Sequence, residues 1–189
     1  MLNVQNRLDG RPALRGWLAV CAVTLGIFAL MTSELLPVGL LTPVSAELGV
    51  TEGDAGLMVT TPGLVAAVAA PVLTVVAGRV DRKVMLAGLI GLMALANLAC
   101  AAAPGFAVVL AARLTVGVSV GGFWAIAGGL APRLVPERHV GRATAVIFGG
   151  VSTASVIGVP AGTFAGQLGG WRLGFALVGI LGLVALACL

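Results

Sequence analysis

Charge is what this chain has least of: only 10% of its residues are Asp, Glu, Lys or Arg, against roughly 25% in an ordinary soluble domain. That scarcity excludes a water-soluble globule. Cysteine and histidine are nearly as thin. Cys21, Cys100 and Cys188 lie in separate apolar runs with no shared spacing, and the single histidine, His139, sits in a basic loop. Metal centres and disulfide frameworks need clustered or paired ligands, so neither is expected, and the thiols read as packed or lipid-facing. No Walker loop, nucleophile motif or His/Asp/Glu cluster is present. An enzyme, an ATP-driven pump and a resident cofactor are therefore all disfavoured. The formal net charge of +4 is spread over a few helix ends, which is not the footprint of a nucleic-acid surface.

What the chain has in abundance is apolar sequence, 59% of 189 residues, gathered into runs of about 20 that suit a ~30 Å hydrocarbon layer. The ~10-residue alternation of a transmembrane barrel is missing. The expectation is an all-α membrane protein of six spans, near 17–40, 55–77, 84–103, 105–129, 142–166 and 172–189, behind an N-terminal segment 1–16. Arg7, Arg11 and Arg15 precede the first run, which is too long for the apolar core of a cleavable signal peptide. Further cations fall between spans two and three (Arg79, Arg82, Lys83) and between spans four and five (Arg133, Arg138, Arg142). The alternate connections are poor in cations. Lysine and arginine favour the cytoplasmic side, so the N-terminus is expected inside. The last run stops at Leu189 without an interfacial anchor and is expected to be cut within or just after span six.

Two charged groups fall inside the apolar runs. Glu34, in the stretch FALMTSELLPVGLL (28–41), would cost several kcal/mol if ionised in hydrocarbon, and such residues usually line a polar cavity. It snorkels to headgroups, is simply kept neutral, or faces a cavity and binds a proton or a cationic substrate. Arg113 lies ~12 Å inside span four by helical rise, so it needs a cavity or a partner. Carbonyls of neighbouring helices and a functional role are both open to it. Asn97, Thr24, Thr32 and Ser33 are cheaper polar groups that more often bridge helices than bind ligands. Twenty-eight glycines point to close helix contacts. Gly150, Ala154, Gly158, Gly162 and Gly166 recur at every fourth position of span five, and Gly117, Gly121, Ala125 and Gly129 repeat the device in span four. Pro160 interrupts the first stripe, where a kink is expected.

In order and placement these stretches resemble the major facilitator superfamily, specifically its drug:proton antiporter branch and the sugar-efflux-like bacterial proteins. The likeness rests on TSELLPVGLLTPVSAELGV, PGLVAAVAAPV, GRVDRKVML, LAARLTVGVSVGG and GVPAGTFAGQLGGWRLGF, and covers nearly the whole chain. It implies the N-terminal half of a twelve-helix fold, with substrate near the midplane between two six-helix bundles. Gly78, Arg79, Asp81, Arg82 and Lys83 stand where the family has a cytoplasmic gate loop, with the acidic member displaced to Asp81. Arg113 with Gly117 and Gly121 is similar to the span-four motif whose arginine is linked to proton coupling. Gly158, Pro160 and Gly162 resemble the span-five antiporter motif, with Val159 breaking its Gly-Pro pair. Glu34 falls where several members keep a membrane-embedded acid. The resemblance implies an inner-membrane antiporter that exports a small organic molecule, drug or sugar-like, against protons. A symporter or facilitator of sugars or nucleosides, and a non-transporting six-span half that pairs with a second chain, remain open.

Overall fold

The computed structural model describes residues 2–78, 80–127 and 129–189, with side chains for all of these except 2–13, 76 and 77. Arg79, expected in the gate loop, and the side chains of Arg7 and Arg11 lie outside the described residues. Helices are the only regular structure among the described residues, as the requirement that every backbone polar group in lipid be satisfied within the chain dictates. They are α1 (Leu2–Leu35), a 3-10 segment (Leu36–Leu40), α2 (Leu41–Leu48), α3 (Glu52–Ala77), α4 (Arg82–Ala101), α5 (Phe106–Ala127) and the short α6 (Ala131–Leu134). After a 3-10 turn come α7 (Val140–Thr153), a π-helical turn (Ala154–Gly158), α8 (Val159–Gly169) and α9 (Trp171–Cys188). Six stretches are long and apolar enough to cross a membrane: Leu14–Leu48, Glu52–Val75, Arg82–Ala101, Phe106–Ala127, Glu137–Gly169 and Trp171–Cys188.

The first span runs past the end of its apolar run. Thr42 and Pro43 read as a loop in the sequence, yet they form the first turn of α2. A proline there gives up an N–H that has no helical partner anyway. The helix ends only at Gly49, whose φ of +67° suits a residue without Cβ. Gly170, at φ +79°, likewise turns the chain between α8 and α9. Asp81 starts α4: its carboxylate accepts from the backbone N–H of Lys83 at 2.8 Å and of Val84 at 3.3 Å, the ordinary N-cap arrangement.

The first helix is the axis of the bundle and touches every other spanning helix, while α3 packs on α5, and α4 on α5 and α9. Small residues permit this closeness. A Cβ at Gly117 would meet Pro62 and Val65 of α3, one at Gly121 would meet Ala66, and one at Gly179 or Gly182 would meet α4. The first and the fifth spans run side by side in a constant register. Gly150 approaches Thr24, Gly158 Thr32, Gly162 Leu36 and Gly166 Leu40. All five small residues of that stripe, Ala154 included, are buried. The interruption in this span is the π-turn at 154–158, where Val159 N–H reaches back to Ala154 O, just ahead of Pro160. The thiols are all free: Cys100 is buried, Cys21 and Cys188 exposed.

At the end of the bundle formed by α2 and the α8–α9 turn, Glu47 joins three elements. It pairs with Arg172 and accepts from Trp171 Nε1 at 2.7 Å, while Arg172 Nη2 donates to Ala103 O at 2.9 Å. The guanidinium also lies over the Trp171 ring, 4.2 Å from its centroid. Nothing in the sequence pattern pointed to this cluster, whose members are 124 and 125 residues apart in the chain.

Candidate functional site

Two prolines and one arginine set the chemistry at the middle of the bundle. Pro37 follows the last turn of α1 and cannot donate to Ser33 O, the α-helical acceptor four residues back, or to Glu34 O, the 3-10 acceptor three back. Pro62, inside α3, leaves Met58 O without its helical donor in the same way. The carbonyls of Ser33, Glu34 and Met58 all point at Arg113. Its Nη1 donates to Ser33 O at 2.9 Å, its Nη2 to Glu34 O at 3.3 Å, and its Nε to Met58 O at 3.1 Å. The guanidinium, 0% exposed, thus replaces the N–H groups that two prolines lack. Of the two readings open for Arg113, its contacts match hydrogen bonding to carbonyls of neighbouring helices. It is buried on neighbouring carbonyls, and it touches the peptide of the other intramembrane charge.

Glu34 sits in the last turn of α1, half-buried. Its backbone is engaged by Arg113, but its carboxylate makes no hydrogen bond or ion pair with the described residues. Three of the five N–H donors of Arg113 are spent on backbone, and none of them is given to the Glu34 carboxylate. Ser33, the residue before it, is 0% exposed and accepts at Oγ from Asn97 Nδ2 of α4 at 2.7 Å. The span-five motif closes the same region from the other side. A methyl group added at Gly158 would strike Thr32, and one at Gly162 would strike Leu36, the two residues that bracket Glu34 along α1. Arg113 therefore reaches Glu34 through its backbone, whereas Gly158 and Gly162 pack on the Thr32 and Leu36 face of the first span, turned about 180° from Glu34 on an ideal helix. Pro160 is exposed beside them.

The gate-loop residues lie elsewhere, at the end of the bundle opposite α2. Gly78 is in an exposed turn, Asp81 caps α4, and Lys83 is exposed. Arg82 lies across Gly129, where a Cβ would collide with its guanidinium. Asp81, Arg82, Lys83 and Arg133 line a cavity of about 270 Å³ with Leu86 and Leu130. Asp81 is thus engaged in the N-cap of its own helix, which is a local use for an acid displaced from the position the family resemblance implies. No group of three His, Cys, Asp or Glu among the described residues could hold a metal ion.

The sequence reading missed Met58, Pro37 and Pro62 as parts of the site. The signal was present: Pro37 lies four residues after Ser33, Pro62 four after Met58, and an arginine is buried in the same membrane.

A family model described as Major Facilitator Superfamily matches residues 22–189. Among curated proteins, the purine ribonucleoside efflux pump NepI of Escherichia coli O6:K15:H31 is 41% identical over 182 residues, 96% of this chain and 46% of its own length. NepI of Salmonella paratyphi A is 40% identical over 178 residues, 94% of this chain and 45% of its own length. A Pseudomonas aeruginosa protein named transcription regulatory protein OpdE is 40% identical over 171 residues, 90% of this chain and 42% of its own length. The chain thus spans less than half the length of these relatives.

Proposed function

The chain belongs to the major facilitator superfamily, and from that premise we propose that it forms the N-terminal six-helix half of a transporter exporting a small organic molecule in exchange for protons. The observation that carries the reading is the free carboxylate of Glu34, in the last turn of the central helix and beside a buried guanidinium already committed to backbone. A carboxyl group so placed alternates between a protonated and a charged state without first breaking an ion pair. Arg113 then holds the backbone on which Glu34 rides, and the loop 78–83 closes the bundle at its basic end. That end faces the cytoplasm of a bacterial inner membrane by the excess of Arg and Lys, which puts the N-terminus inside. The second six-helix half comes from the same or another chain, a reading supported by the length of the relatives. The name of the two NepI relatives makes purine ribonucleosides the first substrates to test, ahead of drugs and sugars.

The test uses the complete transporter in inverted membrane vesicles with an imposed pH gradient. Glu34→Gln keeps size and hydrogen bonding but cannot ionise. Uphill accumulation of labelled inosine or adenosine is expected to collapse in this variant, while downhill exchange of substrate persists. An accumulated gradient of wild-type size would remove Glu34 from the coupling role.

A further inference from the structure

Glu34 is only as well placed as the peptide that bears it, and that peptide stands where the hydrogen bonding of α1 fails. Beyond Leu35 the chain changes to a 3-10 segment, and Pro37 supplies no donor to the turn before it. Glu34 thus lies on the last α-helical turn, with no α-helical bond from Pro37 to hold the peptide that joins it to Ser33. Ser33, its neighbour, is instead held from two sides. Arg113 of α5 grips its carbonyl at 2.9 Å, and Asn97 of α4 grips its hydroxyl at 2.7 Å. Asn97 is itself anchored, since the same amide nitrogen donates to Met93 O of its own helix at 2.8 Å. Ser33, Asn97 and Arg113 are each 0% exposed, so water cannot stand in for any of these bonds.

Between Val84 and Ala101, Asn97 is the one residue of α4 with an amide, hydroxyl or charged side chain. An apolar residue would pack there without penalty. The asparagine carries a penalty, because its Oδ1 is buried with no partner among the described residues, and a buried unpaired acceptor is unfavourable. Its amide nitrogen is the half that is used, and that half is aimed at Ser33. On these grounds we propose that Asn97 is a positioning residue for Glu34: it fixes Ser33 from the α4 side and thereby sets how the neighbouring carboxyl group is presented. The role rests on the reading of Glu34 as the proton-handling group but is measured independently of transport.

The experiment follows reaction of Glu34 with dicyclohexylcarbodiimide at one fixed pH, with the full chain in membranes. Modification is quantified by mass spectrometry of the Glu34 peptide, with the exposed Glu52 as internal reference. Asn97→Leu, which favours insertion, is expected to change the Glu34 rate relative to Glu52 by threefold or more. Exchanging the pair, Asn97→Ser with Ser33→Asn, returns an amide-to-hydroxyl bond between α1 and α4 and is expected to bring the ratio back within twofold of wild type. If the exchanged pair does not accumulate in membranes, Ser33→Ala takes its place and must reproduce the change seen in Asn97→Leu. A Glu34 rate within twofold of wild type in Asn97→Leu overturns the proposal. So does an equal change at Glu52, which would mean a general loosening of the bundle. Labelling reads the carboxyl group whether or not the protein transports, so failure of the export reading leaves this result standing.

Discussion

Replacing Arg113 by methionine should destabilise the bundle chiefly through the three buried carbonyls to which it donates. Ser33 O, Glu34 O and Met58 O lose donors at 2.9, 3.3 and 3.1 Å, and the prolines at 37 and 62 withhold the α-helical N–H from Ser33 O and Met58 O. A buried acceptor without a donor costs about 1–3 kcal/mol, whereas measured side-chain bonds between membrane helices average nearer ~0.6 kcal/mol. Relief from burying a guanidinium offsets part of the loss. Weighing these, the net cost is about 3 kcal/mol, or roughly 6–12 °C in melting temperature at the ~2–4 °C per kcal/mol of a chain this size. The buried thiol of Cys100, 0% exposed, provides the assay. With Cys21 and Cys188 replaced by serine, a thiol-reactive fluorophore reports unfolding in detergent as temperature rises. The decisive arm is Pro62→Ala, which restores an N–H four residues after Met58. It should recover about 1 kcal/mol or more in the Arg113→Met background and clearly less in the wild type, where Met58 O is already served; only coupled sites behave so. Equal effects in the two backgrounds, or a melting temperature of Arg113→Met within about 2 °C of wild type, would refute the capping argument.

The helix stripe and the topology offer two further tests. Gly162→Leu drives a side chain into Leu36, an overpacking of about 1–3 kcal/mol, so transport should fall while the amount inserted is preserved. Gly88→Leu, where a Cβ meets nothing within 4 Å, should be silent, and normal transport by Gly162→Leu would show that the contact with α1 is dispensable. In a chain without its native cysteines, a cysteine at Val80 should be shielded from an impermeant thiol reagent in intact cells and one at Glu52 should react; the reverse pattern would invert the proposed orientation.

Six spans were legible because hydrophobic runs of membrane length are a one-dimensional signal, and their number needs no tertiary information. Their ends were less so. The first span continues to Leu48 because Pro43 falls where a helix tolerates it and Gly49 supplies the left-handed stop, and both are local features that composition averages away. Asp81 shows the same effect in the gate loop: as a residue type it reads as a displaced acid, as a position it is an N-cap. For the central site the sequence named the two charges but not their relation. That Arg113 meets the backbone of Glu34, with the carboxylate left free, depends on where a guanidinium in α5 falls against α1 and α3. Pro37 and Pro62 carried this information, since each withholds an α-helical donor from the carbonyl four residues back, and Arg113 is the one buried arginine among the described residues.

The span-five stripe held a similar message. A step of four residues turns an α-helix about 40° past one full turn. From Gly150 to Gly166 a straight helix would carry the stripe about 160° round, away from α1. Instead Gly150, Ala154, Gly158, Gly162 and Gly166 are all buried, in constant register with α1. The π-turn at Ala154–Gly158 explains this, since its i to i+5 bond holds an extra residue in one turn and takes back about 100° of rotation. The rest is within reach of two helices winding about each other. Pro160 follows at once, where the missing N–H adds a second weakness to the ladder. These interruptions lie across from Thr32 and Leu36, level with the place where α1 itself passes from α to 3-10 geometry. Two neighbouring helices are thus least continuous at the same depth, and Glu34 is there. On the proposed reading, a proton arriving at that carboxyl group acts where the bundle resists bending least, which is where a small change in charge can move whole helices.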